Sequence, residues 1–286
     1  MKHPMKTAFF ALAAAAILSL ASCGVLGDIV AKPTARVDSV EITGVDFSGV
    51  ELTVNVEIDN PNPAGLTLDA YDYCLKVEGE DVVKGRREDR VSMKANGKSI
   101  LPIPIEIRFD ELTAVGASLL DDDIVPVAAV LGLEIAVPYI GSVRLDVSGS
   151  ADIPVVRPPA LLPLGIRVES IGLSGATITV LTDMRNPNAY GLAVRDLEGE
   201  LTVAGNRWGR VDAGGAIDVA PRGREQVAFR AVLDFGEIGR SAWNLLTGSA
   251  NLDVSLAGNM DVDLDLPEFE HGGFAWDADA SVSIIR

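Results

Sequence analysis

The sequence predicts an all-β fold: two tandem immunoglobulin-like, Greek-key β-sandwich domains, each carrying one short helix. Three observations predict it. Apolar and polar residues alternate over many short runs, Gly and Pro punctuate those runs, and the second half of the chain repeats the first at a fixed offset.

The chain opens with Lys2 and Lys6, then an uncharged apolar run from Ala8 to Leu20, then the small residues Ala21 and Ser22 before Cys23. That order marks residues 1–22 as an export signal, and the run is too short to span a bilayer with margin. Leu20-Ala21-Ser22-Cys23 resembles the lipobox of bacterial lipoproteins. The resemblance implies a diacylglycerol on the Cys23 thiol, cleavage just before it, and acylation of the new amine. Each buried methylene contributes ~0.8 kcal/mol, so two or three acyl chains hold effectively permanently. Gly24 follows in place of an Asp, which by resemblance to sorted envelope lipoproteins implies the outer membrane, facing the periplasm. Residues 23–36 are then the lipid-anchored tether, and the membrane is the first partner.

The formal charge is −17, and loss of Lys2 and Lys6 with the signal takes it to −19. A surface that acidic repels nucleic acid and anionic headgroups, and excludes both as partners. Disorder is excluded as well, because 48% of residues are hydrophobic. With Cys23 consumed, Cys74 has no intramolecular partner, so a disulfide scaffold is ruled out.

The repeat is read from residues at an offset of 126. Asn60-Pro61-Asn62 recurs as Asn186-Pro187-Asn188, Ser48-Gly49 as Ser174-Gly175, and Gly65-Leu66 as Gly191-Leu192. Leu75, Val77 and Gly79 match Leu201, Val203 and Gly205, and Phe109 matches Phe235. Near the end of each copy the offset moves to 131, where Leu145-Asp146 faces Trp276-Asp277.

Each copy then reads as a series of strands. Leu52, Val54, Val56 and Ile58 alternate with polar residues, and Ile178, Val180 and Met184 repeat the pattern. After Asn-Pro-Asn the phase slips in both copies. Leu66 and Leu68 give way to Tyr71, Tyr73, Leu75 and Val77, and Leu192 and Val194 to Leu197, Leu201 and Val203. A shared slip of one residue predicts a β-bulge or a strand crossing between sheets. Leu112, Val115, Leu119 and Leu120 are spaced for a helix that Asp110 could cap, with Ile238, Ala242, Leu245 and Leu246 as the counterpart. Two closing strands follow, near Leu131–Val137 and Val143–Ile153, then near Asn251–Asp265 and Phe274–Ile285. The proline-rich join from Val155 to Pro163 reads as a stiff extended spacer, so the domains run from about 37 to 156 and from 166 to 286.

The motif that stands out is Asn-Pro-Asn. Pro61 and Pro187 lack the N–H that a ladder needs, and the asparagines can bond local backbone in a tight turn. Gly65 and Gly191 supply a conformation other residues resist. All of Asn60, Pro61, Asn62, Gly65, Asn186, Pro187, Asn188 and Gly191 therefore read as a structural corner. In this order and strand context the residues resemble the water-stress-and-hypersensitive-response (WHy) domain of the group-2 late-embryogenesis-abundant family. The resemblance covers both repeats. It implies a β-sandwich with a helix, no enzymatic activity, and protection under desiccation or other stress. A lipid anchor and tandem copies depart from the soluble, single-domain plant members.

No catalytic residue, metal site or cofactor is expected. His271 is the one histidine left after the signal, and no paired His/Cys spacing for zinc exists. Asp121-Asp122-Asp123 lacks the spaced ligands of a calcium loop and reads as a solvated acidic turn. Cys74 is replaced by Glu200 in the second copy and reads as incidental. The expected function is protection of client proteins by a hydrated acidic surface. The rival is a module that holds lipid or another apolar ligand and assists envelope lipid traffic.

Overall fold

A computed structural model describes residues 30–113, 116–239, 241–248 and 251–285. The export signal and Cys23 lie outside the described residues. The chain is mostly β, with sixteen strands among the described residues. The described residues divide into two compact units: 30–43, 51–120 and 124–153 in the first, and 44–50, 121–123 and 154–285 in the second.

In the first unit the strands are β1 (Thr34–Val45), β2 (Gly49–Asn60), β3 (Leu66–Val77), β4 (Glu80–Arg87), β5 (Val91–Met93), β6 (Gly97–Arg108), β7 (Ile124–Val137) and β8 (Gly141–Pro154). They form two sheets, ordered β1-β2-β6 and β4-β3-β7-β8, with β5 also paired to β3. The alternation read from sequence is the burial pattern observed: Leu52, Val54, Val56 and Ile58 are all 2% exposed or less. The phase slip in β3 is a bulge, because its register with β7 shifts between Leu68 and Ala70. Tyr71 lands in the core beyond that slip, whereas Tyr73 is only half-buried.

The second unit repeats the order with β9 (Ala160–Ile171), β10 (Gly175–Arg185), β11 (Leu192–Val203), β12 (Asn206–Asp212), β13 (Ile217–Val219), β14 (Arg224–Asp234), β15 (Leu252–Leu264) and β16 (Gly272–Ile285). Here the expectation of separate sheets gives way to one continuous sheet, β12-β14-β10-β9-β16-β15-β11-β13. It closes on itself because β12 pairs with both β11 and β14. The link that joins its halves is a short parallel pairing of Ser283–Ile285 with Gly165–Arg167. Gly165 leaves room at this link for the Ile285 side chain, whose Cδ1 would otherwise lie 2.6 Å from a Cβ. The bulge of the first copy recurs as a register shift between Arg195 and Glu198, where Asp196 has φ 49° and Leu197 turns into the core.

Both expected domain starts fall late. β1 begins at Thr34, within the expected tether, and β9 begins at Ala160, ahead of the expected 166. Pro163, expected to lie in the extended spacer, is instead within β9, beside a bulge at which β9 slips against β10. The join is no free spacer either, because Val155 and Val156 are 2% exposed.

The helices are shorter than the spacing implied. In the first unit α1 (Phe109–Thr113) is a single turn, followed by a 3-10 turn at Ala117–Asp121. Val115 lies outside the described residues. One turn cannot repay helix nucleation, so burial of Leu112 and Leu119 holds it in place. Asp110 is not the cap. It lies inside the turn and bonds the Arg108 side chain, while Glu111 Oε2 accepts from the Arg108 N–H. In the second unit α2 (Phe235–Ile238) and α3 (Ser241–Thr247) are separated at Gly239, with φ 85°, and Asp234 caps α2 by accepting from Gly236 N–H.

Candidate functional site: the twin asparagine corners

The corner of the first unit is built where β2 ends. Pro61 stops the ladder, and the two flanking amides take over its bonding. Asn60 donates through Nδ2 to the carbonyls of Ala64 (2.9 Å) and Lys94 (2.7 Å). Its Oδ1 accepts from the backbone and side-chain nitrogens of Asn62, both at 3.0 Å. Asn62 then grips the incoming chain at both of its polar groups. Its Nδ2 donates to Ala31 O at 2.8 Å, and its Oδ1 accepts from Ala31 N–H at 2.7 Å. Asn96 N–H donates to Asn62 O at 2.9 Å. Both side chains are 1% exposed, so every one of these bonds replaces one that water would otherwise supply.

The second corner reproduces this network at the same offset. Asn188 Nδ2 donates to Arg157 O at 2.8 Å and its Oδ1 accepts from Arg157 N–H at 2.7 Å. Asn186 donates to Tyr190 O, Val219 O and Ala220 O, and its Oδ1 accepts from Asn188 N–H. Two arginines add charge here. Arg157 Nη1 lies 3.3 Å from Asp123 Oδ1, and Arg222 bonds both Asp123 and the Pro187 carbonyl. The acidic triplet is therefore not simply a solvated turn: Asp123 receives two guanidinium groups.

All eight motif residues fall at the corners, but two of them act otherwise than expected. Neither Gly65 nor Gly191 has a positive φ. Gly65 is a close approach, since a Cβ there would meet Met93 O at 3.0 Å, whereas Gly191 has ordinary room at 3.7 Å. What sequence reasoning missed is the reach of Asn62 and Asn188 to backbone 31 residues upstream. A signal was present in Pro33 and Pro159, which recur at the offset of 126 just beyond the gripped residues.

The other candidates carry no assembled chemistry. Cys74 is half-buried, its thiol bonded to Asp81 at 3.2 Å. Burial first, and then the Asp81 carboxylate, hold that thiol above its ordinary pKa, the reverse of a reactive cysteine. His271 is exposed in the turn before β16. Among the described residues no cluster of three or more His, Cys, Asp or Glu could hold a metal ion. A groove of about 610 Å³ lies beside the second corner, rimmed by Asp218, Asp263 and Asp265.

A family model described as late embryogenesis abundant protein matches this chain twice, over residues 55–155 and 182–269, once in each copy. The chain belongs to the late embryogenesis abundant protein family. A single copy's length aligns with each relative. A desiccation protectant protein Lea14 homolog of Glycine max is 27% identical over 122 residues, covering 43% of this chain and 80% of that protein. A desiccation-related protein of Craterostigma plantagineum, PCC27-45, is 28% identical over 119 residues, covering 42% and 79%. Among solved structures, a solution structure from Arabidopsis thaliana matches at 23% identity and a TM-score of 0.37, covering 44% of this chain and 83% of that one.

Proposed function

We propose that this late embryogenesis abundant protein is a lipid-anchored envelope protein whose tandem WHy-type domains protect other proteins during desiccation or related stress, without enzymatic activity. The observation that carries it is the family match in both copies, to relatives named for desiccation. The two sheets of the first unit fit an immunoglobulin-like Greek-key sandwich, of which the closed second unit is a variant. A charge of −19 on the mature chain keeps the surface hydrated as water is lost and spaces client proteins apart. Cys23 supplies the attachment, on the outer membrane and facing the periplasm. The protective reading is tested by drying a labile enzyme with the mature chain. Recovered activity should exceed that given by an equal mass of serum albumin, and recovery no greater would sink it. The anchor is tested by metabolic labelling with a palmitate analogue. Label should be lost in Cys23→Ser, and label kept in that variant would rule the lipoprotein reading out.

A further inference from the structure

The two copies provide an internal comparison, and one place where they differ is the end at which the first copy receives the incoming chain. Four segments converge at that end: 30–33, 61–65, 94–97 and 138–142. The first three are joined by the asparagine network through Ala31, Ala64 and Lys94. The fourth lies alongside, because Leu66 at the start of β3 pairs with Met93 and its neighbour Thr67 with Ala136. Lys94 and the β7–β8 turn thus project past the same end of β3, one strand to either side of it.

In a chain with 41 Asp and Glu, these four segments contain none. They carry Lys32 and Lys94, both exposed and, among the described residues, neither in an ion pair. The turn at 138–142 presents Tyr139 at 87% exposure and Ile140 at 49%. Tyr139 holds φ 68°, a left-handed conformation that an aromatic residue adopts at a cost and that no burial offsets here. The second copy differs in its turn and in the state of its cations: Arg157 and Arg222, in the segments matching 30–33 and 94–97, are both paired with Asp123. Pro158 and Ala220 stand where Lys32 and Lys94 do, and Glu270-His271 where Tyr139-Ile140 do. Its turn from 265 to 271 also holds Asp265 and Glu268.

We propose that this end of the first unit rests on the lipid bilayer, with Tyr139 and Ile140 at headgroup depth and Lys32 and Lys94 against lipid phosphates. It rests on the lipid-anchored reading above. Ala31 is eight residues from Cys23, so a chain acylated there keeps this end within roughly 26–29 Å of the membrane at full stretch. A tether that short gives a local concentration on the order of millimolar, at which even a weak contact is occupied. Exposed aromatics favour the membrane–water interface, and each lysine near an anionic surface contributes about fivefold in partitioning. The acidic total charge does not cancel this, because charges more than about 8 Å away are screened at physiological salt. The overall repulsion of anionic headgroups expected from composition therefore stops short of this end. The contact fixes which face of the protein meets the envelope.

The test couples the chain from Cys23 onward, with Cys74→Ser, through Cys23 to a maleimide lipid in vesicles of phosphatidylcholine and phosphatidylglycerol. Glu200 at the matching position shows that a polar residue is tolerated at 74. Hydrogen exchange is then compared with the same chain free in solution. The amides of 139–141 should slow about tenfold on the vesicles, while those of 268–271 should not change. The Lys32→Gln/Lys94→Gln/Tyr139→Ser variant, altered only at exposed side chains, should lose the slowing. Absence of slowing, equal slowing at both turns, or slowing that survives in the variant would each overturn the proposal. Because the coupling is chemical, the result is independent of whether the cell acylates Cys23, which palmitate labelling reads separately.

Discussion

At the level of single residues, the decisive groups are four buried amides. Asn62 and Asn188 each close a two-bond grip on an upstream backbone, and removing either side chain takes away both of those bonds and the buried amide that made them. Asn62→Ala is therefore expected to cost about 2–3 kcal/mol, read as a lower denaturation midpoint in urea. Asn62→Asp should recover little, since a carboxylate cannot donate to Ala31 O. Cys74 gives a second prediction. With its thiol held protonated by burial and by Asp81, it should react with iodoacetamide at neutral pH several-fold more slowly than free cysteine. The corner was legible in sequence as a turn, because Pro and Asn declare turn chemistry locally. Its grip on Ala31 was not, because a hydrogen bond to backbone across 31 residues leaves no mark on the identity of the residue gripped.

Among the strands, the two copies fill the same space with different partners. In the second unit Gly199 of β11 faces Gly258 of β15, and the Trp276 ring lies across them. In the first, Tyr73 and Leu131 are paired and Leu145 takes the place of Trp276. A Cβ on Gly258 would sit 2.0 Å from the backbone oxygen of Glu198, which cannot yield without breaking the ladder. Gly258→Ala should therefore destabilise the second unit severely, by about 3 kcal/mol or more. Gly132→Ala is the instructive contrast. Its Cβ meets only the tip of Arg144, a flexible and half-exposed side chain, so the loss should stay below about 1 kcal/mol. Thermal melts of the two variants compare them directly. Strand order and inward faces were legible because a period of two survives in most strands. The helices were over-read, since four leucine-class residues at helical spacing look alike whether they continue one helix or bracket a break.

For the whole molecule, duplication and charge set the behaviour. The outer face of the first unit carries a four-charge network in which Arg144 bonds Asp72 and Arg86 bonds Glu134, each through two hydrogen bonds. These guanidinium groups hold the Asp72 and Glu134 carboxyls below their ordinary pKa. A carboxyl whose pKa is depressed by folding adds stability above its unfolded pKa and loses it as pH falls through the folded value. The melting temperature should thus decline as pH drops below the ordinary carboxylate range, and decline less steeply in Arg144→Gln. What composition could not reveal is the placement of charge: a total of −17 gives no hint that four converging segments of the first unit contain no carboxylate.

On the proposed function, the asparagine corners hold the fold together and protection belongs to the folded, hydrated surface. The most direct measurement dries a labile enzyme with the wild-type chain or with Asn62→Ala, compared at equal folded fraction. Equal recovery of activity is predicted once the folded fractions are matched. Protection that collapses in Asn62→Ala while its melting curve stays in place would contradict the account, and would make the corner a binding site.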